Sequence, residues 1–534
     1  MDCQPAFAVA PAPLPDPAPR DGPFQAVAAS LLVLATLGWV VARGPAYNPD
    51  AVSYDALARC LFAGDLWSFV TSCWSPGYPV ALAPFLAIGL SVHAAALILS
   101  LLSGVAAMAL MPRVGRFLGL STWAIRIAML LLAISPLWIV QSTIVSPDHL
   151  VVPLFLLYLL RVLRMSRSPS PRDGAIAGLL AGLMFWVRGF MLPFGLAALP
   201  IALLFAPRGR RLAAGAAYAA VLSAVAAPWV LATTLKYERP IVFTVGGVLR
   251  RLTLTEEFTR MPAREAPFLI PKGPWNLHDY YPPGSPFWDP PKPGYGIPLS
   301  LQANVCLSNL VGVARILANP GYGMILLLAA LGFAAWWRAG HPRDVLRLLS
   351  WVAVYAGGYA VLQVRDRYFL TFLPFLFLLA AHGLTAAGIC RALRAAALVF
   401  IVSVTVLQAA RRVEETLRLE EGRLGLAYRE AGRQIREGGG GAMAVLSEAK
   451  TAGKAASLSG RGVAVAHFGN APYVALECPD PTGRETFRRL DVRWVVIDGG
   501  ARLPASFLAS NRFRRVGVFG PFASSPAFEL WRLP

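Results

Sequence analysis

Residues Asn48 to Pro79 read NPDAVSYDALARCLFAGDLWSFVTSCWSPGYP. The stretch follows the first strongly apolar segment of the chain, Phe24 to Val41. It carries three carboxylates, Asp50, Asp55 and Asp65, in a chain with only 29 acidic residues against 49 lysines and arginines. Asn48-Pro49-Asp50 stands just before a helical pattern over Val52 to Phe62, which suits Asp50 to capping. Ala63-Gly64-Asp65 reads as a turn. Asp55 comes five residues after Asp50, so on a helix it points about 140° away from it. The side of the membrane on which this stretch lies decides the topology.

That there is a membrane follows from composition. The 534 residues are 56% hydrophobic and 15% charged, with a mean hydropathy of +0.55. A soluble domain carries about 25% charged residues. The net charge of +20 does not indicate nucleic acid, because the arginines fall in short clusters between apolar segments. Cytoplasmic loops have that distribution.

A helix needs about 20 apolar residues to cross a hydrocarbon core of about 30 Å. Eleven candidate spans meet or approach this: Phe24–Val41, Ala94–Met111, Trp123–Ile144, Leu150–Leu163, Ala175–Val187, Phe190–Phe205, Leu212–Leu235, Gly321–Trp337, Leu346–Leu362, Tyr368–Leu384 and Ala392–Ala409. Gly77–Leu90 is apolar but only about 14 residues long, more typical of an interfacial or re-entrant helix than of a span; were it to cross, the first span would point the N-terminal tail outward, which parity alone does not exclude. Pro193 is placed to break the span that contains it. The arginine clusters are Arg113 and Arg116; Arg161, Arg164, Arg167 and Arg172; Arg208, Arg210 and Arg211; Arg338, Arg343 and Arg347; and Arg391 and Arg394. Each consecutive pair is separated by two apolar segments, one hairpin. All five can therefore share the cytoplasmic side.

The outer turns then follow by subtraction. They are the opening stretch, Ser146-Pro147-Asp148-His149, Arg188-Gly189, the Pro-rich Lys236 to Asn319, and Arg365-Asp366-Arg367. Charges at such interfaces are expensive and usually functional. The expected domains are a disordered cytoplasmic tail (1–23), a transmembrane domain (24–410) with outer loops 42–93 and 236–319, a helix and Gly linker (411–441), and an extracytoplasmic α/β domain (442–534). The tail lacks the basic segment of a signal peptide, so the first span should remain. In the last domain, strand-like runs occur at Ala442–Leu446, Val463–Ala466, Trp494–Asp498 and Arg515–Phe519, with a helical pattern around Arg484–Leu490. Gly438 to Gly441 lacks the following Lys-Ser/Thr of a P-loop. Six scattered cysteines form no zinc pattern. Cys60 and Cys73 are either free thiols or, in an oxidising compartment, a disulfide.

Several short motifs occur in order along this one face. They are Pro49-Asp50, Tyr54, Ala58-Arg59, Gly64-Asp65-Leu66-Trp67 and Ser75-Pro76-Gly77-Tyr78-Pro79, then Ser146-Pro147-Asp148, Val187-Arg188-Gly189, Arg367-Tyr368-Phe369-Leu370 with Leu373-Pro374-Phe375, and Trp494-Val495-Val496-Ile497-Asp498. Together they resemble the bacterial GT-C glycosyltransferases of the family-39-like group, which includes protein O-mannosyltransferases and the enzymes that move aminoarabinose to lipid A. The resemblance implies a polytopic helical membrane enzyme of the inner membrane, with a cytoplasmic N-terminus and an extracytoplasmic C-terminal domain. It implies transfer of a hexosyl- or pentosyl-type sugar, with inversion, from a polyprenyl-phosphate donor. The acceptor would be a lipid, glycan or protein on the outer face.

Such chemistry needs a carboxylate base near the acceptor and cations at the departing phosphate. Asp50 matches the leading acid of the first loop, and Asp148 is the second catalytic candidate, with capping of the following helix as its alternative. Arg188, Arg365 and Arg367 are candidates for the donor phosphate, since guanidinium pairs bidentately with it; Arg188 could instead snorkel, and Arg365 or Arg367 could pair with Asp366. Tyr54, Tyr78, His149 and Tyr368 are substrate-binding candidates. Trp275, His278, Tyr280, Tyr281 and Trp288 suit either sugar contact or interfacial anchoring. Relatives often have Asp-Glu where this chain has Asp50-Ala51, so a divalent metal ion stays open, with His149 a further candidate ligand. Two other classes compete: a transporter or flippase, which should show repeats and mid-span charges, and a non-catalytic envelope assembly protein on the same scaffold.

Overall fold

The computed structural model describes residues 22–43, 50–71, 74–238, 320–362 and 366–386, together with parts of 303–314 and 430–438 and five C-terminal strands. The helices are α1 (Gly22–Arg43), α2 (Asp50–Phe62), α3 (Leu66–Phe69), α4 (Gly77–Ala87), α5 (Val92–Phe117), α6 (Thr122–Ala133), α7 (Pro136–Gln141), α8 (Asp148–Arg167), α9 (Pro171–Val187), α10 (Met191–Leu204), α11 (Arg211–Tyr237), α12 (Pro320–Arg338), α13 (Pro342–Leu362) and α14 (Leu373–Ala386). A 3₁₀ turn, Asp366–Phe372, leads into α14. Among the described residues, five helical segments are long and apolar enough to cross a membrane: Gly22–Ala42, Val92–Phe117, Asp148–Arg167, Arg211–Tyr237 and Arg367–Thr385.

Two features depart from or refine the hydropathy reading. The single span expected over Trp123–Ile144 is two helices. Ser135 caps α7 by accepting from the Trp138 N–H, and Pro136 follows at the first helical position, so α6 ends and the chain restarts. α4 is a short helix of 11 residues, about 16 Å long at 1.5 Å per residue and half a hydrocarbon core. The candidate span Ala392–Ala409, residues 239–241 and 243–302, the run Val463–Ala466 and the helical pattern at Arg484–Leu490 lie outside the described residues.

Close packing is set by glycines. A Cβ at Gly174 would overlap the Ala214 carbonyl oxygen, and one at Gly178 the Tyr218 carbonyl oxygen, so α9 lies backbone to backbone on α11. Gly332 of α12 and Gly383 of α14 do the same against the Leu379 and Leu328 carbonyls. Small residues at such crossings let helices approach where lipid supplies no hydrophobic drive. At Gly77 a Cβ would meet the Trp186 oxygen at 2.8 Å, which seats the start of α4 on the end of α9. Tyr158 and Tyr218, fully buried, hydrogen-bond each other at 3.2 Å between α8 and α11.

α8 fixes the height of the bundle. Its 20 residues span about 30 Å. Asp148 starts it; Arg167 ends it and binds Asp344 of α13 at 2.9 Å.

The C-terminal strands are β1 (Ala442–Leu446), β2 (Tyr473–Ala475), β3 (Val492–Asp498), β4 (Arg514–Phe519) and β5 (Phe528–Arg532). They form one mixed sheet in the order β2-β1-β3-β5-β4. The first three are mutually parallel, and β5 runs antiparallel to both β3 and β4. Trp494, Val495 and Val496 of the central strand are buried.

Candidate active site

Four chain segments bring charge to one end of the bundle. Asp50 opens α2, Asp148 opens α8, Arg188 closes α9, and Arg367 lies on the 3₁₀ turn before α14. Local sequence explains each position. Pro147 breaks the chain ahead of α8, and Ser146 closes a small ring there: its hydroxyl donates to Asp148 Oδ2 at 2.5 Å and accepts from the Asp148 N–H at 3.2 Å. The Tyr78 hydroxyl from α4 accepts from the Ser146 N–H at 3.2 Å. Arg188 leaves the helix in extended backbone, φ −149° and ψ 115°, its N–H still bound to the Met184 oxygen. The 3₁₀ turn is held by Tyr355 of α13, which donates to the Tyr368 oxygen at 2.8 Å and meets Thr371 Oγ1 at 3.0 Å.

The pairing is uneven. Arg188 Nη1 is in direct contact with Asp148 Oδ1, and the two side chains are 13% and 2% exposed. The Arg188 guanidinium also lies over the rings of Tyr368 (4.5 Å) and Tyr359 (5.4 Å). Those two rings stack at 4.4 Å. Arg188 is thus fixed by a buried carboxylate and an aromatic wall. Arg367 is held more loosely: Nη1 is 3.7 Å from Asp50 Oδ2, and Nε is 3.8 Å from Asp148 Oδ2. Asp50 and Arg367 are each 31% exposed, so this side of the cluster is open.

The sequence candidates distribute as follows. Asp50, Asp148, Arg188 and Arg367 come together, and Tyr368 joins them as a ring against both arginines. Arg365 lies outside the described residues. Tyr54 and Tyr78 are buried next to the cluster, rings edge to face at 4.9 Å, with the Tyr78 hydroxyl bound to the 146–148 turn. Burial, and then the Asp50 carboxylate, push the Tyr54 hydroxyl well above its ordinary value, so it stays neutral.

His149 is a correction. It turns away from the cluster, 1% exposed, with Nε2 between Ser142 Oγ (3.2 Å) and the Trp138 oxygen (3.3 Å) and its ring against Trp138. Its neighbour Asp148 starts the helix, and one residue on, about 100° around, the side chain points into the bundle. Asp55 also points away and grips Arg59 at 3.1 Å, while Asp65 caps α3 by accepting from the Ser68 N–H at 3.0 Å. Tyr355 and Tyr359 were missed by the sequence reading; their one signal is an i,i+4 tyrosine pair on a single face of α13.

The residues present do not fit a divalent metal. The place between Asp50 and Asp148 is taken by the Arg367 guanidinium, and Asp148 is already bound by Arg188 and Ser146. Among the described residues no three His, Cys, Asp or Glu side chains gather as a ligand set. Cys60 is a free thiol, and Cys73 lies outside the described residues.

Comparison with known proteins bears on the fold that carries this cluster. Residues 74–232, which contain Asp148 and Arg188, match the family model "Dolichyl-phosphate-mannose-protein mannosyltransferase". No curated protein sequence matched. The chain is similar in structure to ArnT from Cupriavidus metallidurans bound to undecaprenyl phosphate, with TM-score 0.58, 13% identity, and coverage of 96% of this chain and 97% of that one. It is also similar to the Archaeoglobus fulgidus oligosaccharyltransferase in the apo form, with TM-score 0.55, 13% identity, and coverage of 89% and 69%. The arabinofuranosyltransferase AftD from Mycobacteria gives TM-score 0.52 at 14% identity over 97% of this chain and 40% of that one. The chain is a helical membrane protein with the GT-C fold of these glycosyltransferases, as the order of its motifs led us to expect.

Proposed function

We propose that the protein is a membrane glycosyltransferase that moves a sugar from a polyprenyl-phosphate donor to an acceptor at the outer face of the inner membrane. The acceptor is a glycolipid, polysaccharide or protein. The observation that carries this reading is the cluster of Asp50, Asp148, Arg188 and Arg367, open on the Asp50 side, at one end of a GT-C bundle. Two neighbours of that fold were solved with a polyprenyl phosphate, undecaprenyl phosphate in one and dolichol phosphate in the other.

Asp50, half-open, serves as the base. It takes the acceptor proton as the acceptor oxygen bonds the anomeric carbon from the face opposite the donor oxygen, with inversion. The bond to the phosphate oxygen breaks, and its electron pair leaves on phosphate. Arg188 and Arg367 stabilise that anion, so no acid is needed. Asp148, almost fully buried and bound by Arg188, acts by holding the two guanidiniums in place.

Mass spectrometry of envelope glycolipids and glycans, from cells with and without the protein, tests this reading. The expected result is loss of one defined sugar modification, restored by wild type and not by Asp50→Asn. An unchanged glycan and glycolipid profile would reject it.

A further inference from the structure

The end of the bundle away from Asp50 and Asp148 holds a second group of charges, and it does not balance. Asp344, in the first turn of α13, takes two guanidiniums: Arg167 from the end of α8 at 2.9 Å, and Arg347 of its own helix at 3.1 Å. Arg167 is 39% exposed and also donates to the Phe117 oxygen of α5 at 3.2 Å, with the Phe117 ring 4.4 Å away. Arg347 is only 3% exposed. Its Nη1 is close to Asp344 but not aligned for a hydrogen bond, and its Nε has no acceptor among the described residues. One carboxylate thus serves two cations, and the surplus positive charge falls on the buried one. An uncompensated buried charge is costly. The Phe205 ring at the end of α10, 5.5 Å from the guanidinium, offsets little of that.

A second donor stands beside it. Trp351 lies four residues further along α13, on the same face. It is buried, and its indole N–H also has no acceptor among the described residues. Four residues are about 6 Å of helix. Arg347 lies nearer the end of the bundle and Trp351 lies deeper. A cationic donor outside and a neutral donor inside match a phospholipid, which offers phosphate oxygens first and glycerol ester carbonyls one step further into the bilayer.

We propose that an anionic phospholipid seats its headgroup here, its phosphate on Arg347 and Arg167 and an ester carbonyl on the Trp351 N–H, entering past Phe205 between the end of α10 and the start of α13. The arginine clusters read this end as cytoplasmic, and that leaflet carries the anionic lipids. Guanidinium pairs well with phosphate, and the lipid supplies the negative charge that Asp344 alone does not. The surroundings set the sign of the headgroup. Arg164, Arg208, Arg210 and Arg343 are exposed at this end, so a headgroup ammonium is opposed and a headgroup with only its phosphate charge is favoured. A free phosphate could answer Arg347 but would not reach Trp351. The lipid ties the ends of α8, α10 and α13 together. The site is at the opposite end of α8 from the Asp148 cluster and does not depend on the sugar-transfer reading.

Native mass spectrometry of the full-length protein in detergent tests this. Dioleoylphosphatidylglycerol should be retained as one adduct at collision energies that strip dioleoylphosphatidylcholine, and millimolar inorganic phosphate should not displace it. Arg347→Met should weaken retention about tenfold or more, and Trp351→Phe, which removes only the N–H and one ring, about three- to tenfold. Asp344→Asn works in the other direction: it removes the competing carboxylate and should tighten retention. Arg113→Gln, an exposed arginine outside the group, should leave it unchanged. Phosphatidylglycerol should raise the melting midpoint of the wild type and not that of Arg347→Met. Equal retention of the two lipids overturns the site, as does retention unchanged in both Arg347→Met and Asp344→Asn. Displacement by inorganic phosphate overturns the lipid as the occupant.

Discussion

Removing the charge of Asp148 while keeping its shape isolates what this buried carboxylate does. In Asp148→Asn the side chain still fills its site, 2% exposed, beside the Ser146 hydroxyl. Arg188, 13% exposed and already desolvated, loses its partner. Breaking a buried pair from one side costs about 3–5 kcal/mol, because the remaining charge is left uncompensated. The rings of Tyr368 and Tyr359 contribute about 1–2 kcal/mol for a desolvated cation over an aromatic face, but equally in both proteins, so they leave the difference unchanged. At roughly 2 °C per kcal/mol, the lower end for larger domains, the unfolding midpoint should fall by about 6–10 °C. The double variant Asp148→Asn/Arg188→Met removes the orphaned charge as well and should recover more than half of that loss. Differential scanning fluorimetry in one detergent reads all three proteins, and transfer activity should be lost in both variants. A midpoint for Asp148→Asn within 1 °C of wild type (about 0.5 kcal/mol on the same scale) would show that the Asp148–Arg188 pair is not the buried unit described here. A double variant no more stable than the single would show the same.

Further expected outcomes follow from other parts of the molecule. Gly178→Leu drives a side chain into the Tyr218 carbonyl of α11 and should destabilise the bundle by about 1–3 kcal/mol, read as a lower melting midpoint, whereas leucine at Gly38, which has open space around it, should be neutral. Because Arg367 fills the place between the two carboxylates, transfer should survive EDTA with less than a twofold change (about 0.4 kcal/mol), and a tenfold loss restored by added divalent ion would contradict the placement of that guanidinium. Burial, and then the Asp65 carboxylate, push the Cys60 thiol up against the opposing effect of Lys236. The thiolate is the reactive form, so iodoacetamide labelling of Cys60 should stay slow near neutral pH and rise at a higher pH than for free cysteine. Asp65→Asn should move that rise to lower pH.

The membrane character and the grouping of one face were legible because both are written locally. Apolar length and arginine spacing need no knowledge of which helix touches which. Asp55 was legible as pointing away from Asp50, since helical geometry alone turns it aside and Arg59 stands one turn on. The break inside Trp123–Ile144 was carried by Ser135-Pro136, a cap and first-turn pair that a hydropathy average passes over. The pairing of Asp148 with Arg188 was not legible. The residues stand on different helices, and only the seating of α9 against α8 decides that they meet. The inward turn of His149 has the same cause, because nothing local says which face of α8 meets the bundle. β5 carries no clean alternation, since Phe528, Leu530 and Arg532 share one face and Glu529 and Trp531 the other, and β2, three residues long, falls below what any period can reveal.

Lys236 ends α11 by donating to the carbonyls of Trp67 (2.7 Å) and Val70 (2.6 Å), the exposed end of α3. Two residues later Glu238 takes φ +54°, and the chain turns out of the helix. The end of α11 and the short helix that follows α2 are therefore fastened together, by Lys236 and by Phe69 packed on Trp229 at 5.7 Å. A pull on the chain after Tyr237 is carried through Lys236 to α3, and from α3 across a tight turn at Gly64 to the helix that carries Asp50. The carboxylate proposed as the base is thus linked, through the Lys236 ammonium and the Phe69–Trp229 ring contact, to a part of the molecule more than 170 residues away in sequence.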